Sequence, residues 1–223
     1  MTAHAPWAQV PVVPVVVIHD ANTAIGLGQA LLAGGVNVVE VTLRTPAAIE
    51  SIRRLRDEVP DLIVGAGTVM TPPAVQAASA AGAHFLVSPG TTASLRTAMR
   101  ESGLPCLPGA GSLSEAMDLQ EAGFTAIKLF PISQLGGPPF VRAVASVLPD
   151  LSVCPTGGLK AATAAEMLAL PSVACVGGSW VASTSDISQR DWDGITARAA
   201  DTHQLRPASS HAEKHGSEER QLS

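Results

Sequence analysis

The residue whose chemistry stands out in this sequence is a lysine inside an apolar run. Lys128 lies within Ala126-Ile127-Lys128-Leu129-Phe130, and a lysine is almost never fully buried without a partner or a task. Loss of water favours the neutral amine, which is the form that attacks a carbonyl carbon. Lys160 and Lys214 lie outside such runs. The pattern predicts an imine-forming lysine; an outward-facing lysine paired with a helix carboxylate is the alternative.

A carboxylate interrupts an earlier apolar run. Glu40 follows Val38-Val39 and precedes Val41, and burial of a carboxylate is costly unless the group is paired or neutralised. Side chains alternate along a strand, so Glu40, Thr42 and Arg44 are expected on one face. The pattern favours a functional carboxylate, and a structural ion pair between Glu40 and Arg44 is the alternative.

Glycine pairs follow two further apolar runs, as Thr156-Gly157-Gly158 and Gly177-Gly178-Ser179. Loops of this kind bind phosphate through backbone N–H groups in barrels of parallel strands. Ordinary turn glycines are the alternative. An earlier segment, Gly65-Ala66-Gly67-Thr68, has glycines that allow a ligand to approach the backbone.

The elements that position these residues are short apolar strands alternating with alanine-rich helices, a pattern typical of βα units. The predicted strands are residues 12–18, 38–43, 63–69, 85–88, 106–108, 126–130, 153–155 and 174–177. The predicted helices are residues 21–33, 47–59, 73–81, 91–102, 113–122 and 163–169. Helix starts are predicted at Thr45-Pro46, at Thr71-Pro72 and at a capping box formed by Ser112 and Glu115.

Eight strands with intervening helices predict a single-domain α/β fold, a (β/α)8 TIM barrel, although an open sheet has the same count. Residues 1–9 are predicted to be an N-terminal extension, residues 10–204 the barrel, and residues 205–223 a polar, disordered tail. In such barrels the active site is built at the carboxyl ends of the strands, which is where the residues described above are expected.

Composition excludes several classes of function. The net charge is −5 with no basic run, so no nucleic-acid partner is expected. The apolar run at residues 10–18 is too short to span a bilayer, so no membrane partner is expected either. No signal peptide is visible, and Cys106, Cys154 and Cys175 lack CxxC spacing. A cytoplasmic protein with reduced thiols and no metal site is predicted.

Several different short motifs follow one another along the chain, each at the end of a predicted strand. They are Val39-Glu40-Val41-Thr42-Leu43-Arg44-Thr45, Val64-Gly65-Ala66-Gly67-Thr68-Val69, Ser88-Pro89-Gly90, Lys128-Leu129-Phe130-Pro131, Pro155-Thr156-Gly157-Gly158 and Gly177-Gly178-Ser179-Trp180. Together they resemble the 2-keto-3-deoxy-6-phosphogluconate (KDPG) aldolase and 4-hydroxy-2-oxoglutarate (KHG) aldolase family. The resemblance covers residues 10 to about 181. It implies a homotrimeric barrel without metal or other cofactor that binds a keto-acid phosphate and forms a lysine imine.

The resemblance also implies a role for each motif residue. Lys128 is expected to form the imine, and Glu40 to act as general acid and base. The expected substrate contacts are Arg44 and Thr68 to the pyruvate carboxylate and neighbouring oxygens, Pro89 and Phe130 around the pyruvate unit, and Thr156 to the hydroxylated part of the sugar acid. The expected phosphate-binding residues are Gly157, Gly158, Gly178 and Ser179.

The implied reaction is cleavage of KDPG to pyruvate and glyceraldehyde 3-phosphate, with KHG cleavage to pyruvate and glyoxylate as a second activity. Thr156 resembles the residue of enzymes that act on the gluconate-derived substrate rather than on its galactonate epimer. Two other functions remain open. One is a metal-independent, phosphate-binding barrel isomerase or epimerase, and the other is a non-catalytic barrel that binds a sugar phosphate.

Overall fold

A computed structural model describes residues 5–206, which form an α/β fold of parallel strands and helices. The strands are β1 (Val12–Val16), β2 (Val38–Thr42), β3 (Ile63–Gly67), β4 (Phe85–Val87), β5 (Cys106–Leu107), β6 (Gly109–Ala110), β7 (Ala126–Leu129), β8 (Ser152–Pro155) and β9 (Val176–Gly178). The predicted tail at residues 205–223 lies almost wholly outside the described part.

Every strand pair is parallel. One sheet has the order β5-β4-β3-β2-β1-β9, and the other has the order β6-β7-β8. Isolated parallel bridges join Val153 to Val173 and Thr156 to Gly177, between the segments of β8 and β9. These pairings confirm the predicted α/β class with its parallel strands.

The strand predicted at residues 106–108 is divided in two. Pro108 separates β5 from β6 because it has no N–H to donate to a strand ladder. Its carbonyl oxygen accepts a hydrogen bond of 2.9 Å from the backbone N of Lys128. The chain around Pro108 therefore still contacts β7 and supports the strand that carries Lys128.

The helices between the strands agree in most cases with the predicted positions. They are α1 (Ala24–Ala33), α2 (Ala48–Glu58), α3 (Pro72–Ala80), α4 (Ala93–Glu101), α5 (Leu113–Glu121), α6 (Pro138–Val147), α7 (Ala161–Leu168), α8 (Thr184–Gln189) and α9 (Trp192–Thr202). Helices α6, α8 and α9 were not predicted. The Gly136-Gly137-Pro138-Pro139 segment resembles a loop, but proline is well tolerated in the first turn of a helix, and α6 begins there.

Hydrogen bonds at the three predicted helix starts differ from one start to the next. The Thr71 hydroxyl accepts a hydrogen bond from Ala74 N at 3.3 Å, as predicted. Thr45 does not cap α2, because its hydroxyl donates instead to the carbonyl of Ile18. The capping box predicted at Ser112 is incomplete: Ser112 accepts from Glu115 N, but the Glu115 carboxylate accepts from Gly111 N.

The core is built from the branched side chains of the strands and the inward faces of the helices. It also includes Trp7, in a short 3-10 helix at Pro6–Gln9, whose ring meets the edge of Phe85 at a centroid distance of 5.7 Å. Within the predicted N-terminal extension, Pro6 and Trp7 are therefore buried against the fold. Among residues 5–206, no helix combines the length and the apolar character needed to cross a membrane.

Candidate active site

A pocket of about 170 Å³ opens at the carboxyl ends of the strands. One water molecule occupies about 30 Å³ in the liquid, so the space suits a small molecule. The residues lining it are Val15, Glu40, Thr42, Arg44, Thr68, Pro89, Lys128, Phe130, Thr156, Gly157, Gly158, Leu159, Gly177 and Ser179.

Lys128 and Glu40 meet inside this pocket. The Lys128 Nζ lies 3.1 Å from Glu40 Oε1 and 3.5 Å from Oε2, and both residues are at most 5 % exposed. The Phe130 ring centroid is 5.5 Å from the same nitrogen. Lys128 therefore faces the interior, and the alternative of an outward-facing lysine paired with a helix carboxylate is not observed. The partner of Glu40 is Lys128 rather than Arg44. An amine and a carboxylate at this distance can exchange a proton directly.

Strand register brings the two side chains together across the fold. Glu40 in β2 is paired with Val15 in β1 and with Gly65 in β3, while Lys128 in β7 is paired with Gly109 and with Cys154. The two residues are 88 positions apart in the sequence. Their contact depends on how the two sheets face each other, which no local pattern reports.

Gly67 makes the space that the Glu40 carboxylate occupies. A Cβ atom at position 67 would lie 2.1 Å from Glu40 Oε1, which is far inside van der Waals contact. Gly67 therefore does more than allow the chain to turn at the end of β3, because any larger residue there would clash with the Glu40 carboxylate.

The substitution Gly67→Ala will displace the Glu40 carboxylate and lower kcat by about 10- to 100-fold, because small misplacements at a reacting centre are costly. The added methyl will also strain the core by about 1–3 kcal/mol. Steady-state kinetics and thermal melting measure the two effects. Gly90→Ala is the matched control, since a Cβ there would meet nothing within 4 Å. Unchanged kcat in Gly67→Ala would show that the carboxylate position is not limiting.

Arg44 and Thr68 border the same space. Arg44 is exposed at the pocket, and no hydrogen bond or ion pair reaches its guanidinium from the rest of the described chain. Thr68 has a φ of 55°, a left-handed conformation that is uncommon for a β-branched residue. Such conformations cluster at functional sites. Glu40, Arg44 and Lys128 give the pocket one acidic and two basic side chains, which suits an anionic ligand.

The second part of the pocket is a loop held by backbone geometry. Gly157 and Gly158 both have positive φ values, 101° and 75°, which glycine adopts without steric cost. The Ser133 hydroxyl and backbone N both donate to the Gly157 carbonyl, at 2.9 and 3.2 Å. The loop is therefore tied to the segment that follows β7, and Phe130 packs against Gly157.

All predicted site residues except Gly178 line this pocket. Gly178 is buried behind it, where a Cβ would lie 2.5 Å from the Trp180 ring. Gly177 lines the pocket in its stead, together with Val15, Thr42 and Leu159, which had no assigned role. Alternation with Glu40 placed Thr42 on the lining face, whereas Val15 and Leu159 are apolar residues that resemble ordinary core positions.

Comparison with known proteins identifies the family of this chain. Residues 5–198 match the family model described as KDPG and KHG aldolase. This chain belongs to that family. The predicted family membership is therefore confirmed, and with it the assignment of the chain to the aldolases, which are lyases.

Individual relatives are similar over most of their length. The 2-dehydro-3-deoxy-phosphogluconate aldolase of Pseudoalteromonas atlantica is 45% identical over 86% of this chain and 90% of its own. The KHG/KDPG aldolase of Escherichia coli K12 is 42% identical over 85% of this chain and 89% of its own. A crystal structure of the KDPG aldolase of Legionella pneumophila, with pyruvate captured at low pH as a covalent carbinolamine intermediate, has a TM-score of 0.87 and 43% identity. It covers 89% of this chain and 97% of that one.

Proposed function

We propose that this protein is a class I aldolase that cleaves 2-keto-3-deoxy-6-phosphogluconate to pyruvate and glyceraldehyde 3-phosphate, and also 4-hydroxy-2-oxoglutarate to pyruvate and glyoxylate. The observation that carries the proposal is the buried contact of 3.1 Å between Lys128 Nζ and Glu40 Oε1 in a pocket at the strand ends. Relatives named for both activities support it.

In the proposed mechanism the neutral amine of Lys128 attacks the C2 ketone, and the carbinolamine loses water to give a protonated imine. Glu40, acting through a bound water, takes the proton of the C4 hydroxyl. The bond between C3 and C4 then breaks, its electrons pass toward the imine nitrogen, and the aldehyde leaves. Glu40 returns the proton to C3 of the enamine, and hydrolysis of the new imine releases pyruvate and the amine of Lys128.

The remaining lining residues are proposed to bind the substrate. The exposed guanidinium of Arg44 can hold both oxygens of the pyruvate carboxylate, with Thr68 beside it. Pro89 and Phe130 are proposed to enclose the pyruvate unit, and Thr156 to contact the sugar hydroxyls. Phosphate is proposed to bind at Gly157, Gly158 and Ser179 and at Gly178, whose contribution is limited to its backbone because the residue lies behind the pocket wall.

We further propose that the strands close into one (β/α)8 barrel. Counting β5 and β6 as a single interrupted strand gives eight, and the bridge between Thr156 and Gly177 joins the two sheets at β8 and β9.

A homotrimer is proposed from the family resemblance and is tested by light scattering coupled to gel filtration. A cytoplasmic location is supported by three cysteines that are free thiols.

The two alternative functions are less well supported. An isomerase or epimerase would use acid and base groups on opposite sides of its substrate, whereas the titratable side chains of this pocket include an amine in direct contact with a carboxylate. A non-catalytic sugar-phosphate binder has no need for a buried lysine and glutamate, whose desolvation lowers stability.

A substrate panel tests the proposed function. Pyruvate release, followed with lactate dehydrogenase and NADH, will be fastest with the gluconate-derived phosphorylated keto acid. Its kcat/KM will exceed that of the galactonate epimer by at least about tenfold, because Thr156 can hydrogen-bond a hydroxyl of one epimer. With the unphosphorylated acid, the rise in KM measures how much the proposed phosphate-binding loop at Gly157 and Gly158 contributes to substrate binding. Absence of pyruvate from every member of the panel would refute the aldolase assignment.

A further inference from the structure

Two buried thiols lie near the lysine and carboxylate, since Cys154 is the register partner of Lys128, and the proposed reaction does not use them. Cys154 is in β8, Cys175 comes just before β9, and their sulfur atoms are 3.3 Å apart. Cys154 is 4 % exposed and Cys175 is fully buried. From this juxtaposition we propose that Cys154 and Cys175 are an oxidation site, at which a peroxide forms a reversible disulfide that switches off the adjacent aldolase site.

The strand geometry permits the bond. The Val153–Val173 and Thr156–Gly177 bridges flank the two cysteines, so their strand segments are neighbours. Neighbouring strands lie about 4.8 Å apart, which falls within the Cα separations of about 4.4–6.8 Å that disulfides span. The sulfur atoms need to approach by little more than 1 Å, since a disulfide bond is about 2.05 Å long.

The two thiols are also chemically different. The hydrogen bond donated by Cys175 lowers the pKa of the Cys154 thiol, and the positive charge of Lys128 acts in the same direction against the effect of burial. The same hydrogen bond, together with burial, raises the pKa of the Cys175 thiol well above its ordinary value. Cys154 is therefore the better nucleophile and Cys175 the resolving thiol.

The route of the oxidant leads through the pocket. Cys154 Sγ lies 3.8 Å from the hydroxyl of Thr156, and Thr156 lines the pocket. The Cys154 thiolate attacks one oxygen of hydrogen peroxide and the O–O bond breaks. Hydroxide is the leaving group, and Cys154 becomes a sulfenic acid. The sulfur of Cys175 then attacks the Cys154 sulfur, the S–O bond breaks, and the hydroxyl group leaves as water with the thiol proton of Cys175. The hydroxide of the first step becomes the second water by taking up the proton that the Cys154 thiol had released. The balance is two thiols and one peroxide giving one disulfide and two waters.

The disulfide would act on the site through strand β8. Cys154 is the register partner of Lys128, and Thr156 is two residues further along the same strand. Drawing the Cys154 sulfur toward β9 shifts the strand that supports both residues, and a displacement of about 1 Å at a reacting centre can lower a rate by about 100-fold. The effect on turnover rests on the proposed aldolase function, whereas formation of the disulfide does not.

The test treats the full-length reduced protein with dilute hydrogen peroxide, alkylates the remaining thiols under denaturing conditions and measures the intact mass. We expect one alkylated thiol, Cys106, in place of three. The turnover rate and the amount of pyruvate–borohydride adduct should both fall by at least about tenfold, and dithiothreitol should restore both. Three alkylated thiols, a disulfide that includes Cys106, or a Cys154–Cys175 disulfide with full turnover would each overturn the proposal.

Variants separate the contributions of the thiols. Cys154→Ala, with Cys154→Ser as a second version should the first fold poorly, should keep its turnover after peroxide. Cys175→Ala should trap a dimedone-reactive sulfenic acid at Cys154 and form no disulfide. Cys106→Ala is the matched control and should behave as the unmodified chain does, since burial raises the pKa of the Cys106 thiol to about 11 and makes it a poor nucleophile. Inactivation of Cys154→Ala by peroxide would refute the switch. Absence of turnover and adduct in the reduced protein would refute the aldolase function alone.

Discussion

Pyruvate and borohydride will leave a reduced pyruvate group on Lys128, and replacement of that lysine will abolish turnover. The Nζ atom is buried in the pocket beside a carboxylate that can accept its proton. Lys128→Ala removes the nucleophile, and Lys128→Arg keeps a positive charge next to Glu40 but cannot supply a neutral amine. We expect both to lose at least about 10⁴-fold in kcat. Peptide mass spectrometry locates the adduct, and coupled kinetics measure the loss.

The variants of Lys128 also affect folding, which the experiment has to separate from catalysis. Removal of one partner from a buried ion pair leaves an uncompensated charge and costs about 3–5 kcal/mol. Lys128→Arg retains a partner for Glu40, so circular dichroism and thermal melting of the two variants distinguish misfolding from lost chemistry. Lys160→Met is the control, because Lys160 is exposed and should leave the adduct on Lys128 unchanged. An adduct on Lys160, or near-normal turnover in Lys128→Ala, would contradict the imine assignment.

Glu40→Gln will still form the imine with pyruvate but will turn over substrate about 10²–10⁴-fold more slowly. The amide can accept a hydrogen bond from Lys128 in place of the carboxylate contact at 3.1 Å, so the pocket keeps its shape. It cannot take the C4 hydroxyl proton or return a proton to the enamine. Borohydride trapping measures imine formation, and single-turnover kinetics measure cleavage. Exchange of the pyruvate methyl protons for deuterium, followed by NMR, isolates the proton-transfer step.

A surface carboxylate provides the comparison for Glu40→Gln. Glu50 is 47% exposed in its ion pairs with Arg53 and Arg54, and Glu50→Gln should leave cleavage and methyl exchange unchanged. A loss smaller than about tenfold in Glu40→Gln would remove Glu40 from the general base role. Loss of trapping and of cleavage together would instead assign Glu40 to imine formation.

Much of the candidate site could be predicted because its residues violate the preferences of a core. A lysine and a glutamate within apolar strands are costly, so Lys128 and Glu40 stand out from their neighbours without any coordinates. Glycines at the ends of strands likewise marked the loop at Gly157 and Gly158. Val15 and Leu159 could not be found in this way, because an apolar residue that lines a pocket has the same local pattern as one that fills a core.

The elements were predictable to the extent that their boundaries are local. Alternation of apolar runs with alanine-rich segments predicted the strands to within a few residues, and threonine caps predicted the start of α3. The helices α6, α8 and α9 were missed. Glycines and prolines at the start of α6 resemble a loop, whereas α8 begins at a capping box of Ser183 and Asp186, a local signal that was overlooked. Their stability comes from packing against the rest of the fold, and such packing overrides weak local propensity.

By itself, the sequence determined the class of fold through its strand periodicity and the family through its ordered motifs. It also singled out Lys128 and Glu40, the proposed catalytic residues, because the cost of burying a charge is visible in a short segment. Only the tertiary structure decided that Glu40 is paired with Lys128 and not with Arg44, that Gly67 makes room for the carboxylate, that Gly177 rather than Gly178 lines the pocket, and that Cys154 lies against Cys175. Each of these contacts depends on register between strands distant in sequence. That register is set by the packing of the whole core, where a shift of one residue would reverse the face of every side chain.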